Sequence, residues 1–317
     1  MIDELDIVHF LSMVDPKDIR VHQPTSVFLI CGGPQGTTLP VPPSLREAYL
    51  RICDRGALKK HSAMLAEDLT RVFDLGNYRD FLALEADIAE ISSLILLFSE
   101  SYGSAAELGA FTITPSIASK LCAVIDDKRY GENSFIKLGP LRFLHNNYGE
   151  ASVCVINRKD IGTNDINNLS SLNFEAFHEI ISTSIEDRLK TIKSHSTFDK
   201  SQNGHIIKLI VGIIQWYGAL TLDEVEVCLL YFNLGKSRSD VENFLLCAEF
   251  FNWIVKHKRG SRTYYVAIAK NAAVQFSFFD DSQKPNKSKW QTDVREQWKL
   301  RDPMRFNCIV DAQLKAI

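Results

Sequence analysis

The chain has 317 residues, of which 45% are hydrophobic and 24% charged, an ordinary globular composition that excludes a wholly disordered or fibrous protein. Its 36 basic and 39 acidic residues leave a net charge of -3, so a generally cationic nucleic-acid coat is excluded and any polyanion site must be a local patch. At about 150 residues per domain, this length suggests two domains. The opening stretch carries Asp3, Glu4 and Asp6 and lacks the pattern of a secretory leader. The most apolar stretch, Ile206–Leu222, contains Lys208 and falls short of the roughly 20 apolar residues that span a bilayer, so no membrane partner is expected. The seven cysteines are scattered and form no C-x-x-C pair, which predicts reduced, mostly buried thiols in a cytoplasmic protein. The eight histidines show no paired metal spacing, and no metal is expected.

In chain order, Ser26–Cys31, Leu94–Phe98, Leu121–Ile125 and Ser152–Ile156 are short apolar runs suited to strands buried on both faces. Helical patterns lie between them, at Leu45–Cys53, Tyr78–Ile91 and Ala105–Phe111. The alternation predicts an α/β domain over residues 1–160, with a flavodoxin-like parallel sheet and a ligand site beyond the carboxyl ends of its strands. Residues 161–204 read as a helical linker, with an exposed amphipathic helix at Asn173–Lys193 and a polar stretch at Ser194–Gly204. Residues 205–270 give three helices, His205–Tyr217, Thr221–Phe232 and Ser239–Phe251. Two strands follow, Trp253–His257 and Arg262–Ile268, around the turn Lys258–Ser261; this is the outline of a winged helix-turn-helix domain. Residues 271–317 read as a basic, partly ordered tail. Its Trp290 and Trp298 either stack bases among the cations or belong to an amphipathic helix, Gln291–Leu300.

The stretch Ser99–Phe111, SESYGSAAELGAF, carries the main site candidate. Gly103 permits a tight turn, Ser104 opens a helix whose free N–H groups can hold anions or sugar hydroxyls, and Glu107 falls in the first helical turn at the carboxyl edge of the sheet. The same spacing, Ser104-x-x-Glu107, is also a capping box, and Ser44-x-x-Glu47, Thr221-x-x-Glu224 and Ser239-x-x-Glu242 repeat it. Spacing alone does not separate capping from catalysis. In the expected wing, Lys256, Lys258, Arg259 and Arg262 give four fixed positive charges with no acid, which suits phosphate contact. The third helix carries Asp240, Glu242 and Glu249, a poor charge for a major-groove reader, so backbone contact without sequence readout is expected; a protein-docking wing is the alternative.

The runs FLICGG and FLALEADIAEISSLILLFSESYGSAAELGAF resemble the nucleoside 2′-deoxyribosyltransferase-like fold. They resemble more closely the toxic effector proteins of retrons, which follow such a domain with a winged helix-turn-helix. The resemblance implies that Glu107 is the nucleophilic glutamate, that Gly32 and Gly33 form a substrate loop, and that Gly103 and Ser104 form the ribose- and phosphate-side turn. Glu100 and Tyr102 would flank the pocket, whereas Gly32-Gly33-Pro34 also reads as an ordinary strand-end turn. Asn77, Asp80 and Glu85 read as surface or capping residues. The transferases carry an aspartate shortly before the glutamate, yet Ile88–Ala106 contains no Asp and only Glu90 and Glu100 as acids. That departure disfavours transfer between free bases. It favours NAD, whose nicotinamide is already cationic and leaves neutral without an acid. The resemblance therefore implies an N-glycosidase or ribosyltransferase acting on NAD as substrate, with no cofactor. It also implies a toxin of antiphage defence, restrained by a retron reverse transcriptase and its multicopy single-stranded DNA with attached RNA, with higher-order assembly left open. The alternatives are a non-catalytic, nucleotide-sensing DNA-binding regulator, and transfer of ADP-ribose or deoxyribose onto nucleic acid.

Overall fold

The computed structural model describes residues 6–280, 282 and 284–315. Asp3 and Glu4 of the opening stretch, and Asp281, Gln283 and the last two residues of the expected tail, lie outside the described residues. In chain order the strands are β1 (Val14–His22), β2 (Val27–Cys31), β3 (Ser62–Leu65), β4 (Leu94–Phe98), β5 (Leu121–Asp126), β6 (Val153–Ile156), β7 (His195–Thr197), β8 (Ala219–Leu220), β9 (Ile254–Arg259), β10 (Arg262–Ala267) and β11 (Val274–Phe278). The chain divides into two compact units, one made of Ser26–Leu69 and Ser92–Lys193, the other of the described parts of Met1–Thr25, Thr70–Ile91 and Ser194–Ile317.

The first unit is built on a five-stranded sheet of order β3-β2-β4-β5-β6 with every neighbouring pair parallel. β2, β4 and β5 are buried at every position, as their unbroken apolar runs require when helices cover both faces. From β2 the chain first adds β3 on one side and then β4 on the other. The carboxyl ends of β2 and β4 therefore flank the switch point, where sheets of this order open a crevice. β3, which the composition of Ser62–Leu65 did not suggest as a strand, forms one edge.

The helix Phe174–Thr191 belongs to this unit and is not a linker. Its Phe177, Ile181 and Ile185 are fully buried in the same cluster as Phe28, Ile30 and Leu96 of the sheet. The helix has the amphipathic spacing expected of it, but its apolar stripe covers a sheet face instead of leaving the helix exposed. Arg188, 1% exposed, fastens the helix further. Its guanidinium donates to the carbonyls of Leu121 (3.0 Å), Tyr148 (3.3 Å), Ala118 (3.2 Å) and Ser119 (2.7 Å).

In the second unit β1 lies between β11 and β7, both antiparallel to it. The helices Asn203–Tyr217, Leu222–Tyr231 and Arg238–Phe250 follow one another as the apolar pattern predicts. The antiparallel hairpin β9–β10 comes next, with β8 on its far edge. The turn is tighter than Lys258–Ser261: β9 runs through Arg259, and Gly260, at φ 59°, takes the left-handed position that glycine accepts most readily.

Residues 271–315 are folded where a partly ordered tail was expected. β11 buries Val274, Phe276 and Phe278, and the helices Lys287–Arg301 and Pro303–Lys315 follow. Cys308, Ile309 and Ala312 pack with Ala219, Tyr264 and Val266. The Trp290 ring centroid is 5.2 Å from that of Phe10, and the Trp298 indole donates to the Tyr217 carbonyl at 2.9 Å, so both tryptophans follow the amphipathic-helix reading. The compact units thus do not follow the expected divisions at residues 160, 204 and 270, because segments distant in sequence complete each core. Among the described residues all seven cysteines are free thiols, and no helix is long and apolar enough to cross a membrane.

Arg188→Met should keep the side-chain volume while stranding buried carbonyls. We expect a loss of about 3 kcal/mol in urea unfolding, since each buried acceptor left unmet costs on the order of 1 kcal/mol or more.

Candidate functional site

Two strand ends and two helix starts build the site. β2 ends at Cys31, and Gly32 follows at φ 143°, where a Cβ would lie 2.7 Å from both the Cβ and the carbonyl oxygen of Phe98. Only glycine lets β2 and the end of β4 run this close. A Cβ on Gly33 would lie 2.7 Å from Glu100 Oε2 and 2.8 Å from Ser44 Cβ. The glycine pair is thus required by close packing, of Gly32 against the Phe98 backbone and of Gly33 against the Glu100 and Ser44 side chains, a stronger demand than an ordinary strand-end turn makes.

Glu100 supplies the carboxylate behind that demand. Its Oε1 accepts from the Leu45 amide at 2.7 Å and its Oε2 from the Arg46 amide at 3.2 Å, at the start of the helix Leu45–Leu50. Burial pushes the Glu100 carboxyl above its ordinary value, while the two amides pull it back. Glu100 was expected to flank a substrate pocket; its carboxylate is instead spent on backbone amides. Ser44 caps the same helix, accepting from the Glu47 amide at 3.0 Å and donating to the Pro34 carbonyl at 2.8 Å.

The helix Tyr102–Thr112 begins one residue after Ser101, which caps it and forms a reciprocal capping box with Ser104. Three expectations change. Ser104 lies inside the first turn, buried, with its hydroxyl accepting from the Glu100 and Ser101 amides at 3.1 and 2.9 Å. Gly103 has ordinary helical backbone and makes no tight turn: it is absent from the positive-φ positions, and a Cβ there would come no nearer than 3.8 Å to Ser101 Oγ. Tyr102 is 98% exposed, where a position against a pocket wall was expected. Glu107 therefore sits in the second turn, and the capping role that its spacing from Ser104 allowed is taken by the Ser101–Ser104 pair.

Glu107 is half-buried, and its Oε2 is a buried oxygen without a hydrogen-bond partner among the described residues. Burial raises its pKa; the Arg46 guanidinium opposes that and the Glu67 carboxylate adds to it. Arg46 and Glu67 are site residues that the sequence did not suggest. Arg46 is 1% exposed and donates to both carboxylate oxygens of Glu67, one of them at 2.6 Å, and to the Gly33 carbonyl at 3.2 Å. Burial works against ionisation of Glu67, but the Arg46 hydrogen bonds, a backbone hydrogen bond and the Arg46 charge together outweigh it and hold this carboxyl below its usual value. The Arg46 Nε is, like Glu107 Oε2, buried and unpartnered among the described residues. The sequence could have offered one signal, an arginine at the second position of a capped helix directly after the first strand–glycine turn.

The second unit carries the expected nucleic-acid residues. Lys256 and Lys258 are exposed on β9, and neither side chain is in an ion pair among the described residues. Arg259 pairs with Asp311 at 2.5 Å, and Arg262 approaches Asp302 at 3.7 Å. The four charges that look alike in sequence are therefore two open lysines and two arginines answered by carboxylates from the last two helices. The third helix is capped by Ser237 with Asp240, two residues earlier than the Ser239–Glu242 spacing suggested. Asn77 and Asp80 act as the sequence implied, in this same unit. Asp80 accepts from the Ala83 amide at 2.8 Å, and Asn77 donates to Glu242 at 3.1 Å. Glu85 is buried, contrary to a surface position.

Residues 42–256 match the model of the family described as STM3845 retron effector protein, and the chain belongs to that family. In Escherichia coli, a protein named "Retron Ec73 putative ribosyltransferase/DNA-binding protein" is 26% identical over 149 residues, 46% of this chain and 47% of that protein. Its Retron Ec86 counterpart, of the same designation and organism, is 44% identical over 63 residues, 20% of each chain. The matched stretch thus spans about half the length of the first relative and a fifth of the second.

Glu100→Gln replaces one acceptor by an NH2 group facing a backbone N–H. Its expected cost is about 1–3 kcal/mol of unfolding free energy, read by urea titration, whatever its effect on activity.

Proposed function

We propose that this retron effector is an N-glycosidase of the nucleoside deoxyribosyltransferase-like type and that NAD is its substrate. The observation that carries the reading is the unpartnered buried oxygen of Glu107, beyond the carboxyl end of β4 at the switch point of the sheet. A buried acceptor without a partner needs a reason, and a sugar turning cationic supplies one. The C1′–N bond to nicotinamide breaks, and its electron pair returns to the ring nitrogen, which leaves neutral. Glu107 stabilises the C1′ cation or bonds to it, and water then adds at C1′, releasing ADP-ribose and a proton. No acid is needed at the leaving group. That suits a site in which Glu100 is engaged by two amides and Glu67 by Arg46. The relatives' names favour transfer of the sugar to an acceptor as the second reading. Nicotinamide release without matching free ADP-ribose would identify it.

In the same proposal the three helices and hairpin of the second unit act as a winged helix-turn-helix that docks retron single-stranded DNA through Lys256 and Lys258, and that docking restrains the glycosidase in a cytoplasmic antiphage system. Arg259 and Arg262, already answered by Asp311 and Asp302, contribute less.

Glu107→Gln should abolish nicotinamide release from NAD by the full chain; a fully active variant would sink the glycosidase reading, and a non-catalytic regulator would never have released nicotinamide. Because the Glu107 pKa is raised and its carboxylate must be ionised to act, the acid limb of the rate profile should lie above the ordinary glutamate value of about 4.3. Glu67→Gln removes a negative neighbour and should move that limb to lower pH. Replacing Lys256 and Lys258 by alanine should flatten the log K against log salt slope for single-stranded DNA by about 1–2, near 0.7 per lost phosphate contact.

A further inference from the structure

The second unit contains a cavity of about 840 Å3, within the range of ordinary small-molecule sites of roughly 300–1,000 Å3. One wall is aromatic: Trp216 lies 6.2 Å from Phe276 and 6.3 Å from Phe278 between ring centroids. The mouth is cationic. Lys284 and Lys287 line it, and no lining residue among those described is acidic. The Lys287 ammonium stands 5.9 Å from the centroid of the Trp216 ring. Burial lowers its pKa, and no carboxylate opposes that effect. Among the described residues neither lysine has an ion-pair or hydrogen-bond partner for its side chain. His22, which also lines the cavity, is held below its usual value by burial and by His195, with Arg20 and Lys208 adding to the effect against a hydrogen bond with Gln275, so the neighbouring charges are positive as well. Asn271 donates to the Pro24 carbonyl at 3.0 Å, which orients the side-chain amide and leaves its oxygen without a donor among the described residues.

A half-buried lysine without a counter-ion costs solvation free energy that an anion would return. The rings beside it stand edge to face, Trp216 at 67° to Phe276 and 62° to Phe278, and form an angled apolar wall against which an aromatic ring can pack, while a side-chain amide oxygen can accept from a ring amine. We propose that this cavity is a binding site for a nucleoside phosphate, with the base against Trp216 and Phe276 and the phosphate on Lys284 and Lys287. The site is separate from Glu107 and does not depend on the glycosidase reading. Its occupant has two sources of the same chemistry, a free mononucleotide or the phosphorylated end of a single strand.

The test uses the full chain carrying Glu107→Gln, so that no ligand is consumed. Amine-reactive labelling read peptide by peptide should find Lys284 and Lys287 shielded by AMP, with Lys256 and Lys258 labelled as before. In calorimetric titration, adenosine and ribose 5-phosphate should each bind at least tenfold more weakly than AMP. Lys284→Ala combined with Lys287→Met should weaken AMP binding in the same titration at least tenfold, with the thermal unfolding temperature unchanged. A 5′-phosphorylated thymidine tetramer that binds more tightly than TMP identifies a strand end as the occupant; one that binds more weakly identifies a free nucleotide. Unshielded Lys287 at millimolar AMP, or unaltered AMP binding in the double variant, overturns the proposal.

Discussion

The carboxylate of Glu100 ties together two segments that lie 55 residues apart, by accepting from the first amides of the helix that follows β2. An ionised group buried at this depth costs several kcal/mol unless it is met by donors, and a helix start offers them in a fixed direction. Gly33 has no side chain because one would occupy the space of the Glu100 carboxylate. With the helix start pinned in this way, Arg46 is turned inward, where it reaches both oxygens of Glu67 and the Gly33 carbonyl.

The neighbouring carboxylates then divide into engaged and open. Glu100 faces amides, Glu67 faces a guanidinium, and Glu107 keeps an oxygen unpaired. The different pKa directions of Glu67 and Glu107 follow from that division: one carboxyl has its cation to itself, the other feels the same cation only at a distance and against a like charge. Arg46 and Glu67 engage one another, and Glu107 is the carboxylate of the three with an oxygen left unpartnered among the described residues.

In the second unit the last two helices change the meaning of the charge pattern. Asp302 accepts from Tyr264 and pairs with Arg305, whose guanidinium stacks 4.0 Å from the Trp298 centroid and reaches Glu224 at 2.7 Å. This buried network joins the end of the chain to the hairpin and to the second helix. Arg305, one of the basic residues of the expected partly ordered tail, is therefore structural, while Lys256 and Lys258 on β9 and Lys284 and Lys287 at the aromatic cavity have no ion pair among the described residues.

The sequence by itself determined the parallel sheet, since unbroken apolar runs punctuated by Gly32 and Gly33 and alternating with helical patterns have few other solutions. It also determined the three helices and the hairpin of residues 203–267, and it singled out Glu107 through the run that follows β4. Those signals are local: side-chain periodicity, cap chemistry and turn glycines act over a few residues. The tertiary structure alone decided which cap was used at residues 101–107, because both Ser101 and Ser104 were eligible and only the entry angle of the chain chose between them. It alone brought Arg46 and Glu67 beside Glu107, assigned Glu100 to backbone amides, moved Phe174–Thr191 from linker to core, and folded residues 271–315 into the second unit. Each of these rests on partners tens to hundreds of residues away, and neither spacing nor propensity carries information about contacts closed only when distant segments share one core.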